Sequence, residues 1–217
     1  NTSKKSAEYN FTNEGGVEGT TRFLKNIMGL WIIQECRRQW QREGEDISFA
    51  ELESQAWQAE PLVSFINPDY EAFATPGNMP KRIREFCAKT NQPVPETKGE
   101  IVRCIAQSLA LKYRETLEGM EDVLSTEIKQ IHMVGGGIKD QMVCQFTANA
   151  TNRAVKAGPV EATAAGNIIV QLMALGKISS LKQGREIIKR SFDLKEYQPQ
   201  DSDEWNIAYE KYLKITK

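Results

Sequence analysis

The sequence has few of the residues that build metal centres, with a single histidine, His132, and only four cysteines. The cysteines are widely spaced, none of them forms a CxxC pair, and the histidine does not stand at ligand spacing from any of them. This pattern argues against a structural zinc site. A bridge between Cys87 and Cys104 is expected only on oxidation, because these two residues would flank a loop. Otherwise we expect reduced, mostly buried thiols of a cytoplasmic protein at all four positions: Cys36, Cys87, Cys104 and Cys144.

An excess of charge of one sign and long apolar runs are also absent. The 28 Lys and Arg residues and the 29 Asp and Glu residues give a formal net charge of −1, which provides no electrostatic reason to expect nucleic acid or an anionic membrane surface. The apolar run from Ile168 to Leu175 is too short to span a bilayer, and no signal peptide is visible. With 40% hydrophobic and 26% charged residues, the chain is typical of a soluble globular protein. Its first residue is Asn1 rather than methionine, which suggests a piece of a longer protein.

The first part of the chain predicts a hairpin followed by a helix. Short β-type segments at residues 9–13 and 20–24 flank a glycine-rich loop, so residues 1–25 are expected to form a β-hairpin. From Asn26 the apolar period changes to that of a helix that runs to about Gln41. One face of this helix is predicted to carry Ile27, Leu30, Trp31, Gln34 and Arg38.

Residues 48–128 are expected to be a largely helical insertion. Ser48 is followed three residues later by Glu51, and Thr97 by Glu100. Each pair has the pattern of a capping box, in which the first side chain and the third-residue carboxylate satisfy each other's backbone N–H groups. The sequence therefore predicts two helices that begin at these points, with a stretch broken by prolines between them.

The strongest local pattern is a strand, a glycine turn and a helix within residues 130–176. Apolar and β-tolerant residues at 131–134 predict a short buried strand, preceded by a short separate helix or turn over Thr116–Ile128. The turn consists of Gly135, Gly136 and Gly137, which accept positive φ and carry no Cβ. An amphipathic helix is predicted over Ile138–Thr151, so the turn would bring free backbone N–H groups and a helix N-terminus together, which suits phosphate. On its own the pattern also fits a plain tight turn.

The rest of the chain continues the alternation of strands and helices. A strand is predicted over residues 154–157, an alanine-rich helix over 161–175, and two terminal helices within 179–217. The last helix carries a stripe that would dock it: Trp205, Tyr209 and Tyr212. These elements indicate one α/β domain, residues 1–217, with a mixed sheet flanked by helices.

Two blocks of the sequence resemble the rhamnulokinase subfamily of the FGGY carbohydrate kinases. They are NFTNEGGVEGTTRFLKNIMGLWIIQ and IHMVGGGIKDQMVCQFTANATNRAVKAGPVEATAAGNIIVQLMALG, and the similarity extends from about Asn10 to the C-terminus. The resemblance implies the C-terminal domain of a two-domain kinase with the ribonuclease-H-like, actin-like fold. It also implies that ATP and Mg²⁺ bind between the domains and that the γ-phosphoryl group passes to the 1-hydroxyl of L-rhamnulose. Fuculose, xylulose or another ketose is the alternative substrate.

The resemblance also assigns roles to individual residues. Gly136, within the glycine turn, would lie against the nucleotide together with Gly135 and Gly137. Gln34 matches a position that contacts ATP, and Asn26 matches one that contacts the sugar; because they are eight residues apart, both would point the same way on one helix. The family usually has an amide where this chain has Asp140, beside the adenine. A carboxylate accepts from the adenine amino group but cannot donate to a ring nitrogen.

The family's catalytic aspartate and its SGTW phosphate loop would both precede Asn1. The resemblance therefore implies that the missing N-terminal kinase domain supplies the catalytic base and that this chain alone is inactive. The first strand of the domain's own sheet would also be missing, which would leave the hairpin with an unpaired edge. An edge-paired homodimer follows as a hypothesis. A non-catalytic interaction module that keeps the fold is the alternative from a different functional class.

Overall fold

The computed structural model describes residues 1–216, which form two compact units. The first comprises Asn1–Ile128 and the segment that begins at Asp203, and the second comprises Lys129–Ser202. The assignment of one domain to the whole sequence stays a prediction.

The first unit consists mainly of helices with one β-hairpin. Short 3₁₀ turns lie at Val17–Gly19, between the strands of the hairpin, and at Glu71–Phe73, in the proline-rich stretch. The regular elements are α1 (Lys4–Glu8), β1 (Thr12–Gly15), β2 (Thr21–Leu24), α2 (Trp31–Arg42), α3 (Phe49–Gln58), α4 (Met79–Lys89) and α5 (Lys98–Leu124).

The second unit is built around a small sheet. The final helix of the chain follows this unit and belongs to the first unit, except for its first residue, Ser202. A 3₁₀ turn at Gly136–Lys139 separates the first strand of the sheet from the next helix. The remaining elements are β3 (Gln130–Met133), α6 (Gln141–Thr151), β4 (Ala154–Ala157), α7 (Ala162–Ala174), α8 (Leu181–Ser191), β5 (Lys195–Tyr197) and α9 (Ser202–Thr216).

The predicted hairpin is confirmed within residues 12–24, but its first strand begins three residues later than predicted, and residues 4–8 form helix α1, which was not predicted. Strands β1 and β2 are antiparallel, with Thr12 opposite Leu24 and Gly15 opposite Thr21. Among the described residues they form a two-stranded sheet of their own. Pairing of a hairpin edge with a second copy of the chain stays a prediction.

Helix α2 begins five residues later than its sequence pattern indicated. The segment that contains Asn26 is not helical, and the helix starts at Trp31. The buried stripe of the helix consists of residues outside the predicted set, Ile33, Cys36 and Trp40, which have the i, i+3, i+7 spacing of a helix. This second apolar set packs into the core, while Gln34 is exposed.

Helix α5 runs without interruption for 27 residues, so the predicted separate helix from Thr116 was wrong. Its capping box is present: the Thr97 side chain accepts from the Glu100 N–H at 3.2 Å, and the Glu100 carboxylate accepts from the Thr97 N–H at 2.9 Å. No proline follows before the helix ends at Leu124, so nothing breaks it. From residue 101 to residue 112 the helix is buried on every side.

Polar side chains of α5 hold the proline-rich segment that follows α3. The Leu62 N–H donates to Gln107 Oε1 at 3.1 Å, and the Ile66 N–H donates to Ser108 Oγ at 2.8 Å. Gln107 and Ser108 are both buried. A segment without helix or strand bonds thus finds partners for its backbone in the core.

The aromatic stripe of α9 is buried as predicted: Trp205, Tyr209 and Tyr212. The Tyr209 hydroxyl donates to Glu118 Oε2 at 2.8 Å, and the guanidinium carbon of Arg114 lies 4.1 Å from the centre of the Tyr209 ring. Both partners belong to the C-terminal half of α5. One face of α9, which also includes the buried Ala208, therefore packs within the first unit, whereas residues 203, 204, 206, 207, 210, 211 and 214 are exposed.

The sheet of the second unit is mixed, as predicted. Strand β4 lies in the centre, parallel to β3 and antiparallel to β5. Val155 and Ala157 of β4 are buried, but His132 of β3 is exposed, so the prediction that β3 is a buried strand was wrong. It is an edge strand among the described residues. Strand β5 was not predicted, because a three-residue strand with two charged residues has no apolar alternation.

The four cysteines are all free and buried in the structure. Cys87 lies on α4 and Cys104 on α5, and the two thiols interact directly with each other and with Ser64. Formation of a bridge between them on oxidation stays a prediction.

The contact between α3 and α5 depends on Gly99. A Cβ at this position would lie 2.5 Å from the Gln55 carbonyl oxygen and 2.7 Å from the Gln55 carbonyl carbon. Because backbone atoms cannot rotate away, we expect Gly99→Ala to lower the free energy of unfolding by about 1–3 kcal/mol. Urea unfolding followed by tryptophan fluorescence measures this change. Gly29→Ala is the matched control, since its Cβ would meet no atom within 4 Å; equal midpoints for both variants would contradict the packing described.

Candidate functional site

The glycine turn after β3 is shaped by one residue that must be glycine. Gly135 has φ +87°, a conformation that residues with a Cβ rarely adopt. Its N–H donates to the Pro159 carbonyl at 3.2 Å, while the Gly158 N–H donates to the Met133 carbonyl at 2.8 Å. These bonds tie the ends of the parallel strands β3 and β4 together, so the turn is fixed at the carboxyl edge of the sheet.

The backbone of the turn is accessible from outside the protein. A Cβ built at Gly135 or at Gly136 would meet no atom within 4 Å, and Gly136 is exposed. The chain then makes the 3₁₀ turn at Gly136–Lys139 before α6 begins at Gln141. The predicted order of strand, glycine turn and helix is confirmed, but the helix starts three residues later than Ile138.

Asp140 lies between the turn and α6, where it caps the helix. Its Oδ1 accepts a hydrogen bond from the Val143 N–H at 2.9 Å. A carboxylate of the chain itself therefore occupies the N-terminus of α6, where the positive end of the helix dipole favours a negative charge. The expectation of a free helix N-terminus for phosphate was wrong for α6. The contact of Asp140 with the adenine stays a prediction.

Gln34 lies on the exposed side of α2, between the buried residues Ile33 and Glu35. Its carboxamide makes no hydrogen bond to the part of the chain that the structure describes. Both its donor and its acceptor are thus available to a ligand.

Asn26 lies in the irregular segment between β2 and α2, so it does not share a helix face with Gln34, as the spacing had predicted. The residue lines a cavity of about 360 Å³. The walls of this cavity, which we call the Asn26 cavity, are formed by residues 26–29, residues 68–70 and Ala74. Apolar residues that were expected to continue the helix form part of these walls instead.

An ion-pair cluster adjoins the Asn26 cavity and was not found from the sequence. Lys112 Nζ lies 2.9 Å from Asp69 Oδ2 and 2.9 Å from Glu115 Oε2, and the Lys112 side chain is only 7% exposed. Burial lowers the pKa of Lys112, but the hydrogen bonds with Glu115 and Asp69 outweigh burial and raise the pKa above its ordinary value. Lys112 is therefore charged. A single aspartate in a proline-rich segment has no periodic signal that would have revealed this pairing.

The resemblance implies Mg²⁺, but the described residues do not offer a ligand set for it. No group of three or more His, Cys, Asp or Glu side chains within residues 1–216 is arranged to hold a metal ion. We assign no metal ligand to this chain.

Within residues 1–216, no helix has the length and apolarity needed to cross a membrane.

Most of the chain is similar in sequence to known proteins. The C-terminal domain of the FGGY family of carbohydrate kinases matches residues 1–175. The chain is 49% identical over 200 residues to the rhamnulokinase of Bacteroides thetaiotaomicron and 40% identical over 196 residues to that of Bacillus subtilis. These alignments cover 92% and 90% of the chain. The chain spans only 40% of the length of each of these curated relatives.

Solved structures of sugar and polyol kinases have the same fold. A ligand-bound xylulose kinase from Lactobacillus acidophilus matches with a TM-score of 0.67 and 14% identity, over 95% of this chain and 41% of its own. Glycerol kinase from Plasmodium falciparum with ADP matches with a TM-score of 0.61 and 13% identity, over 92% and 40%. At such low identity the likeness shows the fold alone, and it confirms the predicted ribonuclease-H-like domain. The chain therefore belongs to the FGGY family of carbohydrate kinases and corresponds to the C-terminal domain of that family.

Proposed function

We propose that this chain is the nucleotide-binding part of a cytoplasmic, ATP-dependent kinase that phosphorylates the 1-hydroxyl of L-rhamnulose. The observation that carries the proposal is the 49% and 40% identity to proteins named rhamnulokinase over nine tenths of the chain. Fuculose and xylulose are the alternative substrates. The chain spans two fifths of those relatives, so the proposal includes an N-terminal kinase domain as its partner.

The proposed division of labour follows from what phosphoryl transfer requires. The reaction needs positioning of two substrates, neutralisation of phosphate charge, which Mg²⁺ supplies when bound, and a base for the sugar hydroxyl. In this proposal the open backbone around Gly136 and the carboxamide of Gln34 bind ATP, and Asn26 binds the sugar. The base comes from the N-terminal kinase domain. What supports this assignment is the accessibility of all three positions.

The isolated chain is expected to bind ADP without phosphorylating sugar. Because the base lies elsewhere, a coupled assay with ATP, Mg²⁺ and L-rhamnulose should give no rate above background, while calorimetry should show ADP binding. The complete protein is the positive control for the assay. Turnover of L-rhamnulose by the isolated chain would contradict the proposed division of labour, and absence of ADP binding would favour a non-catalytic module.

The glycine turn can be tested without disturbing the fold. A methyl group at Gly136 meets open space in the protein, but it would occupy the approach of a ligand to the turn. We expect Gly136→Ala to weaken ADP binding about tenfold or more, which corresponds to at least 1.4 kcal/mol. Gly166→Ala is the matched control, since Gly166 is also exposed and unobstructed in the second unit. Equal ADP affinities of the two variants would contradict the assignment.

Asp140 has two separable roles in this proposal. Asp140→Ala removes the cap of α6 and is expected to lower the free energy of unfolding by about 1 kcal/mol. Asp140→Asn keeps the cap, because asparagine caps helices as well as aspartate does, so its stability should match that of the parent. The added N–H should tighten ADP binding by roughly threefold to tenfold, as for one new hydrogen bond. Thermal unfolding and calorimetry measure the two effects, and unchanged ADP affinity in Asp140→Asn would show that this side chain does not meet the adenine.

A further inference from the structure

The Asn26 cavity contains an acceptor that the resemblance does not assign. Asp69 lines the cavity together with Asn26. The Asp69 side chain is 36% exposed, and its Oδ2 lies 2.9 Å from the ammonium group of Lys112. Its Oδ1 accepts no hydrogen bond from any residue between 1 and 216. One oxygen of the carboxylate is therefore fixed, and the other remains available at the cavity wall.

Hydrogen bonds fix the backbone at Asp69 and at the residues next to it. The Asp69 N–H donates to Asn67 Oδ1 at 3.0 Å, and the Tyr70 N–H donates to the Asn67 carbonyl at 2.9 Å. Three residues before Asp69, the Ile66 N–H donates to the buried Ser108 hydroxyl. The carboxylate is thus held in place before any ligand arrives, which reduces the entropy cost of binding.

Asp69 and Glu115 face two cations: Lys112, which both carboxylates contact, and Lys25, whose charge acts on the same group from beyond ion-pair distance. Glu115, one helical turn from Lys112 on α5, already places a carboxylate oxygen 2.9 Å from the ammonium group. Asp69 supplies a second carboxylate, and this one lines a cavity. A carboxylate oxygen is a stronger hydrogen-bond acceptor for a hydroxyl than a neutral oxygen is.

The chemistry of the two polar side chains fits a polyol. The Asn26 carboxamide both donates and accepts, and it makes no hydrogen bond to the described residues, whereas the Asp69 carboxylate only accepts. A sugar hydroxyl both donates and accepts, so it can satisfy either partner. Tyr70 and the apolar side chains of the cavity provide the remaining wall, as in ligand sites that combine a few polar groups with apolar surface.

We propose that Asp69 is a sugar-binding residue, which accepts a hydrogen bond from a hydroxyl of the ketose in the Asn26 cavity. The inference rests on the proposed function and extends it, because it adds a second residue of this chain to the sugar site. It also implies that the C-terminal domain contributes directly to the choice of ketose.

The test uses the complete kinase and the variant Asp69→Asn. Loss of a charge-assisted hydrogen bond should raise KM for L-rhamnulose about tenfold to a hundredfold and leave KM for ATP unchanged. Glu71→Gln is the matched control: it removes one negative charge from the same proline-rich segment, at an exposed residue that does not line the cavity. Its kinetic constants should equal those of the parent.

A second variant, Asp69→Glu, distinguishes the loss of a sugar contact from the loss of the fold. It keeps a charged partner for Lys112 but moves the carboxylate by one methylene, so KM for the ketose should still rise while the thermal midpoint stays close to that of the parent. A ketose KM that is unchanged in both variants of an active enzyme overturns this inference and leaves the proposed function intact, and so does an equal rise in KM for ketose and ATP. A complete protein that phosphorylates no ketose overturns the proposed function and this inference together.

Discussion

The burial of α5 on all sides is the constraint on which the first unit depends. Twelve consecutive residues, 101–112, are shielded from solvent, and several of them are polar. A buried polar group left without a partner costs about 1–3 kcal/mol, whereas a paired one contributes about 1 kcal/mol. The polar residues of this stretch meet successive points of α3 and of the segment that follows it: Arg103 meets the Ala56 carbonyl of α3, and beyond α3 Gln107 meets the Leu62 N–H, Ser108 the Ile66 N–H and Lys112 the Asp69 carboxylate.

This pairing explains how an irregular segment can carry part of a binding site. A loop with prolines and no ladder bonds would ordinarily be mobile, and a mobile carboxylate would bind a sugar poorly. Because the partners of the segment are spaced along one rigid helix, its backbone follows α5 and reaches the Asn26 cavity in a defined position. In the proposed function, phosphoryl transfer depends mainly on positioning, so α5 would provide both the stability of the core and the geometry of the proposed sugar site. In the second unit the glycine turn is fixed by the backbone alone. The positive φ of Gly135 and the hydrogen bonds between the ends of β3 and β4 hold it in place.

Features that depend on neighbouring residues in the sequence were predictable. The capping box at Thr97, the antiparallel hairpin and the glycine turn all follow from spacing over a few residues, and the family followed from the resemblance of two sequence blocks. Features that depend on tertiary contacts were not. Helix α2 starts at Trp31 and buries a second apolar stripe in the core, and α5 continues past Thr116 while its residues Arg114 and Glu118 contact Tyr209 of α9. The ion pair of Asp69 could not be predicted from the sequence, because its partner, Lys112, lies 43 positions away along the chain.

Asp140 shows why a residue's structural contact does not settle its functional role. The side chain caps α6, and this alone would justify the residue on grounds of stability. However, asparagine caps a helix equally well, so the helix end alone does not require a carboxylate at this position. Asparagine and aspartate share one acceptor oxygen. They differ in the other terminal group, which is an NH₂ donor in asparagine and a second acceptor oxygen in aspartate. The cap is made by an acceptor oxygen that asparagine also has, so the two side chains differ in what they offer a ligand rather than in the cap.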